Sequence, residues 1–539
     1  MAAAAGVASS APAATSPAPE AARPGSVLEV VEIGFSGRAR LGAWTPVWID
    51  VAAPTEIDGT LIIEAPAPAG QPVVRFGAPV RAAAGARVRT FVPAIFFDAS
   101  APGVVHLVDG GGHRASVVLP RLRPVDELVL ILSREPVGVE EAIEASDRLE
   151  VAYGAAELLP PVWLAYEGVR LLVVRTLDER RLDDAQRTAI RNWVWAGGRL
   201  VAMPEGDDAR VLAGPTLEPF RRPGQAGRGR VIVWAGDAAS PGSRADPRTR
   251  QAWRQALAPK PQPLWPGLEA TLPGGPVLPV RTYLLVGALV ALYIVAVRRL
   301  NAGLSSLRPT GALTAALVVA LATAGAWRLA AFVRRQASGV VASTVVEVMP
   351  PTGSGLLTVL ARTSAAPDGA FEIAAAGTLL LRPLPTAPVT VVHGTETILR
   401  GRGAGIQVLG MAVVPAAISG TYAAGNAGAT VTVTNRSGRP LEQPWVFVAG
   451  RVQAIPPIVG TARLVLDEQH WQPHDRLSRT QVHHALLVWA FSRLAADAIL
   501  SATPAWLVGW WRDPVLALRW DGRIDAPLQL VLVPLTAPP

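Results

Sequence analysis

The sequence predicts a multi-domain protein that is α/β plus all-β. It should be β-rich at both ends, with a doubly wound α/β domain and a transmembrane helical hairpin between. Three observations carry this expectation. Two uncharged apolar runs lie near the middle of the chain, strand-length segments bounded by Gly, Pro or Asp lie on either side, and one stretch switches to strand–helix–strand periodicity.

The first apolar run is Thr282–Val297, held between Arg281 and Arg298-Arg299. The second is Pro309–Trp327, between Arg308 and Arg328, with apolar character continuing to Val333. A spanning helix needs roughly 20 apolar residues at about 1.5 Å rise each. The second run has that length. The first reaches it with Val277–Val280, Arg281 and Arg298 being placed to snorkel to the interfaces. Transmembrane helices are therefore expected at 281–299 and 309–333, joined by a basic loop at 300–308, with the lipid bilayer as a partner. The competing reading is a pair of buried helices in a large soluble domain.

At 539 residues there is room for several domains. The formal charge is +8, and Lys260 is the sole lysine. Arg is scattered, densest at Arg221-Arg222 and Arg334-Arg335, and does not interleave with aromatic side chains. That pattern argues against nucleic acid as a partner. The chain has no Cys, which excludes disulfides, thiolate metal sites and Cys nucleophiles. Residues 1–25 are small and Pro-rich. They read either as a disordered leader or as the remnant of a secretory signal that starts upstream.

Residues 26–122 read as a β-sandwich. VLEVVEIGF, TPVWIDVAA, GTLIIEAP, ARVRTFVPAIF, VVHLVDG and ASVVLP are short strands bounded by turn residues. DGGGH, Asp109–His113, reads as a hairpin turn, since no helix follows to make it a phosphate loop. The period then changes over residues 125–245. Leu128–Leu132 and Val169–Val174 are buried strands, and Glu140–Asp147 has helical character. LDDAQRTAIRNWVWAGG is a helix with Asp183 or Asp184 near its N-cap and Gly197-Gly198 as its stop. Arg199–Met203 and Arg230–Trp234 follow as strands, which completes βαβ units of a doubly wound parallel sheet. Residues 246–280 read as a short helix, Thr249–Leu257, and a Pro-rich linker.

LPPVWLAYEGVRLLVV, the helix ending WVWAGGRLVA, and GRGRVIVWAGD together resemble the class I glutamine-amidotransferase-like, flavodoxin-like domain of uncharacterised bacterial membrane proteins and of auxiliary ABC-transport components. LYIVAVRRLNAGLSSLRPTGAL resembles the hairpin of the same family. The resemblance implies a multi-pass protein of the bacterial inner (cell) membrane with its soluble domains extracytoplasmic. Arg328, Arg334 and Arg335 leave the charge count alone undecided. Catalytic members of that family carry a Cys nucleophile with a downstream His and Glu. This chain has no Cys, no His between His113 and His393, and no Gly-x-Ser-x-Gly elbow in the domain. Asp178, Asp183, Asp184, Asp207 and Asp208 sit where caps and turns need them rather than as a metal set. The resemblance thus implies a non-catalytic domain without a cofactor. By fold-level analogy it offers a docking edge at the strand carboxyl ends, near Thr176, Asp178, Glu205 and Asp207.

From residue 338 to 539 the chain is expected to be a C-terminal β-sandwich with one helix. Ala429–Ile458 reads as an Ig-like strand pair, with Asn435-Arg436-Ser437-Gly438 as turn chemistry. Ser478–Leu500 is an apolar helix interrupted by Arg493 and Asp497, so it reads as packed rather than spanning. Pro504–Leu518 reads as two strands meeting at Arg512-Asp513-Pro514. His470, His474, His483 and His484 invite a metal site. Pro473 and the adjacency of His483 and His484 argue against shared ligation, so no metal is expected. Trp44 and Trp48, Trp193 and Trp195, and Trp506, Trp510 and Trp511 could stack on sugar, but alternation places one of each pair in a core. The functional expectation is a membrane-anchored, non-catalytic scaffold or accessory subunit of a bacterial envelope complex, with an ABC-type transporter among the partners. The alternatives are an envelope hydrolase and a carbohydrate-binding protein acting on glycan.

Overall fold

The strand Val74–Ala82 decides the architecture, because it joins the two ends of the chain. The computed structural model describes residues 28–258 and 340–537 apart from internal stretches, the longest being 204–223, together with Leu268, Ile294 and Arg298. Within them, Val389–Val392 lies parallel to Val74–Gly77. One nine-stranded sheet results. It runs Arg523–Asp525, Leu518–Trp520, Ala370–Ala376, Glu396–Arg402, Val389–His393, Val74–Ala82, Ile57–Ala65, Val104–Asp109 and Gly112–Val118.

The Val74–Ala82 strand has no clean sequence signal, because Gly77 and Pro79 interrupt it. The structure accounts for both. Pairing with the Val389 strand stops at Gly77, so the N–H that Pro79 lacks falls beyond that pairing. A Cβ on Gly77 would come within 2.9 Å of the Leu61 carbonyl oxygen, so the close approach of the two backbones requires glycine.

A second nine-stranded sheet runs Leu380–Pro383, Gln407–Pro415, Ser354–Thr363, Val340–Met349, Gln529–Leu535, Ala505–Trp511, Glu442–Val448, Arg451–Ala454 and Gln472–Pro473. Its inner face, the first sheet and the three-stranded sheet of Leu28–Ile33, Trp44–Ala52 and Arg87–Ile95 share one core. Ile49, Leu61, Phe76 and Val92 meet Val346, Leu357, Val391, Leu399 and Val531 there. Each such side chain contributes about 1.5–3 kcal/mol on burial. The expectation of separate N-terminal and C-terminal β-sandwiches is therefore corrected. Neither half has a full complement of strands without the other.

Two local pairings are corrected with it. Gly428–Asn435 and Glu442–Val448 lie in different sheets, as do Ala505–Trp511 and Leu518–Trp520. At the first of these crossings Asn435 does act as turn chemistry. It accepts from the Ser437 N–H at 3.1 Å and donates to the carbonyls of Arg439 and Ile458.

Glu127–Leu132, Leu149–Tyr153, Val169–Val174, Arg199–Ala202 and Gly229–Val233 form a parallel sheet, extended by antiparallel Gly224–Ala226. The doubly wound, flavodoxin-like and amidotransferase-like domain is nevertheless corrected, because the chain is predominantly β and its helical layers are sparse. Among the described residues there are three α-helices, Asp184–Trp195, Pro247–Ala256 and Val482–Ala498. Among the described residues, an α-helix between two parallel strands is seen in the connection from Val174 to Arg199. The connections on either side of Leu149–Tyr153 show, among the described residues, short 3-10 turns at Glu140–Ala142, Ala156–Leu158 and Trp163–Tyr166. Pro160-Pro161 blocks helix continuation in one of them.

The Asp184–Trp195 helix begins with a capping box between Asp183 and Gln186. It buries Ala189, Ile190, Trp193 and Val194 against the sheet. Replacing Asp183 with Ala is expected to cost about 1 kcal/mol, read as a lowered urea midpoint.

Val482–Ala498 lays Leu486, Leu487, Ala490, Phe491 and Leu494 on the outer face of the second large sheet. Trp506, Val508, Trp510, Leu530 and Leu532 receive it there. It is a packed helix. The expected transmembrane segments at 281–299 and 309–333 lie outside the described residues, except for Ile294 and Arg298. Among the described residues no helix is long and apolar enough to cross a membrane. The transmembrane hairpin, and the multi-pass inner-membrane location built on it, are corrected on that finding.

Candidate functional site

The strands of the parallel sheet end together at Leu132, Tyr153, Val174, Ala202 and Val233. From Glu127–Leu132 the chain goes first to a neighbour on one side and then, with Val169–Val174, to the other. In open parallel sheets, ligands bind outside the strand carboxyl ends at such a reversal. The docking residues expected from the sequence, Thr176, Asp178, Glu205 and Asp207, lie outside the described residues.

The described residues around this edge form an ordered polar strip. Tyr153 is 41 % exposed. Its hydroxyl donates to a Glu140 carboxylate oxygen, while the other Glu140 oxygen accepts the Gly138 N–H at 3.0 Å. Ser36 donates its hydroxyl to the Tyr153 carbonyl at 2.8 Å. Ser36 stands in the turn Gly34–Gly37, where Gly34, Ser36 and Gly37 all have positive φ. The turn exists to drive Phe35 into the core of the parallel sheet, where its ring meets Tyr166 at 5.9 Å, and Tyr166 meets Trp193 at the same distance.

The opposite, amino ends of the same strands are held to the rest of the body by Arg–carboxylate pairs. Arg382 donates to Glu167, which also accepts the Trp44 N–H at 3.1 Å. Arg228 faces Glu347 at 3.3 Å, with only 16 % and 7 % of their side chains exposed. Arg38 and Arg123 both donate to Glu150, which stands on the edge strand Leu149–Tyr153. Chemically the strip offers a phenol, a carboxylate and backbone edges. It can hold a partner by hydrogen bonds and apolar contact.

A Ser–His–carboxylate grouping, which the sequence does not reveal, occurs on another surface. His106 Nδ1 lies 2.7 Å from Ser116 Oγ, and its Nε2 lies 3.9 Å from Glu64. These residues belong to three adjacent strands of the first large sheet and become neighbours only through register. The carboxylate is 0.4 Å or more beyond hydrogen-bond reach, and its other oxygen is held by Arg75. Glu64 is therefore not placed to orient the imidazole as a nucleophilic triad needs. A cross-strand polar ladder describes it better.

The other sequence candidates disperse. His470 pairs with Asp467 and His474 Nδ1 with the Gly450 carbonyl. His483 and His484 lie on the Val482–Ala498 helix. Among the described residues no three His, Asp or Glu side chains are placed to hold a metal. Trp44, Trp48, Trp193, Trp506, Trp510 and Trp511 are all buried, so they offer no sugar platform. No model of a known protein family matches the chain, and a search of curated proteins finds no match either. The resemblance to amidotransferase-like membrane proteins is corrected on these findings together with the fold.

Proposed function

We propose that the chain is a non-catalytic binding or scaffold subunit that presents the carboxyl edge of its parallel sheet to a protein partner. The observation that carries this reading is the hydrogen-bonded strip Ser36–Tyr153–Glu140 at that edge. The opposite, amino ends of these strands are tied by Arg382–Glu167 and Arg228–Glu347 to the second nine-stranded sheet, by Glu167–Trp44 to the three-stranded sheet, and by the Phe35 wedge to the N-terminal turn. A surface fixed at several points binds with little ordering cost, which is what a docking platform needs. Tyr153 and Glu140, already bonded to one another, are its defined features. An ABC-type transporter is one candidate partner.

A photo-crosslinking amino acid in place of Tyr153, in the full-length chain in its own cells, should give one discrete adduct. The same probe at Val118, 43 % exposed on a different sheet edge, should not. Equal, diffuse labelling at both positions would count against the reading. So would reaction with a serine-hydrolase probe that is lost in Ser116→Ala and His106→Ala, which would favour a hydrolase instead.

A further inference from the structure

The three-stranded sheet of Ile418–Gly425, Gly428–Asn435 and Thr461–Leu466 has one closed edge and one open edge. At Ile418–Gly425 the backbone of Thr536 closes it. The Tyr422 N–H donates to the Thr536 carbonyl at 2.9 Å, and the Thr536 N–H to the Gly420 carbonyl at 3.1 Å. Thr461–Leu466 pairs with Gly428–Asn435 alone among the described residues. Its backbone is a ready template for another strand, and native proteins normally blunt such an edge with charge, Pro or a cover.

On this edge strand Arg463 is the one charge, beside exposed apolar side chains. Val465 is 74 % exposed and Val459, just before the strand, 72 %, the two most exposed large hydrophobic side chains among the described residues. Arg463 is exposed. Beyond the strand, Asp467 keeps an extended backbone, φ −88° and ψ 126°, so the alternation of faces carries through to it. Arg463, Val465 and Asp467 therefore share one face. Asp467 caps the following 3-10 turn through the Gln469 N–H, yet its side chain is 53 % exposed.

We infer that two copies of this chain pair antiparallel through Thr461–Leu466 about a two-fold axis at Val465. In that register Val465 faces Val465 of the second copy, and Leu464 faces Leu466. Arg463 faces Asp467 on both sides of the axis. The surface is self-complementary, as an isologous interface must be. An apolar pair sits at the centre and two opposite-charge pairs sit outside it, each worth roughly 0.2–1 kcal/mol as cross-strand neighbours. A one-residue slip in register would set the exposed Val against buried positions, so the pattern specifies one alignment. The inference is independent of the docking edge proposed above, which lies on a different sheet.

The chain has no cysteine, so Val465→Cys introduces a unique thiol at the proposed axis. Residues directly opposite in an antiparallel pair have Cβ atoms about 4.5–5.5 Å apart, close to the span of a disulfide. Under mild oxidation the purified full-length Val465→Cys chain should form a disulfide-linked dimer at least tenfold faster than Val459→Cys, an equally exposed control. By sedimentation the parent chain should dimerise with concentration. Arg463→Asp or Asp467→Arg alone should make it monomeric, and the two together should restore the dimer. Equal oxidation rates for the two thiols would overturn the inference. A double charge swap as monomeric as either single would do the same, and would leave the edge to a different protein's strand.

Discussion

Acidification from pH 7 to pH 4 should cost the protein about 3 kcal/mol of stability through one side chain. His393 ends the strand that joins the two halves of the chain, and it is 8 % exposed. Its ring lies edge-on to Trp44 at 5.3 Å, and its Nδ1 is 3.3 Å from the Thr397 hydroxyl. Burial alone lowers its pKa from 6.5 to about 3. The unfolded chain therefore binds a proton that the folded one refuses. Stability from this group is complete above pH 6.5 and declines as pH falls toward 3, by about 1.4 kcal/mol per unit.

Other groups act elsewhere in pH. Asp50, whose carboxyl Arg89 and Arg87 hold below its usual range, loses its contribution only in stronger acid. Glu32, raised by burial, works in the opposite sense. Urea midpoints at pH 7, 5.5 and 4.5 should fall steadily for the parent chain and remain nearly level for His393→Gln. An unchanged slope in that variant would rule out His393 as the cause.

Arg228→Met should destabilise the protein by about 3–5 kcal/mol, because it removes a positive charge held 3.3 Å from buried Glu347. Arg228 lies in the turn before Gly229–Val233, and Glu347 lies on Val340–Met349 of the second large sheet. The pair thus bridges the parallel sheet to the β body. Replacing both residues, Arg228→Met with Glu347→Leu, should recover most of the loss, since paired apolar groups of similar volume cost no buried charge. A cycle of chemical denaturation experiments on the four chains measures the coupling. If Arg228→Met alone costs less than about 1 kcal/mol, the contact is no clamp.

Much of the strand content was legible because Gly, Pro and Asp punctuate it and the apolar residues alternate. Trp44–Ala52 and Gly428–Asn435 stand where that pattern puts them. The start of the Asp184–Trp195 helix was legible too, because a capping box is written in four consecutive residues. Sheet membership was not. Val74–Gly77 against Val389–Val392 is a pairing of distant segments, and nothing local to Gly77 or Pro79 announces it. Glu442–Val448 reads as the return strand of a hairpin, but its actual neighbours are Arg451–Ala454 and Ala505–Trp511. The apolar face of Val482–Ala498 was readable, though only the sheet beneath it supplies the partner.

At the candidate site the strand ends could be anticipated from the βαβ pattern. Tyr153, Glu140 and Ser36 could not, since a turn far upstream brings Ser36 to them. Thr176, Asp178, Glu205 and Asp207 lie outside the described residues.

The central claim is that the N-terminal strands and the C-terminal strands are one cooperative body seamed at Val74–Ala82 and Val389–His393. Native-state hydrogen exchange of the full-length chain across a series of sub-denaturing urea concentrations tests it directly. The account predicts that amides of these two strands lose protection together, with the same free energy and the same urea dependence. Protection that persists in 28–122 after the strands of 340–537 have opened would contradict it, and would divide the body into two modules.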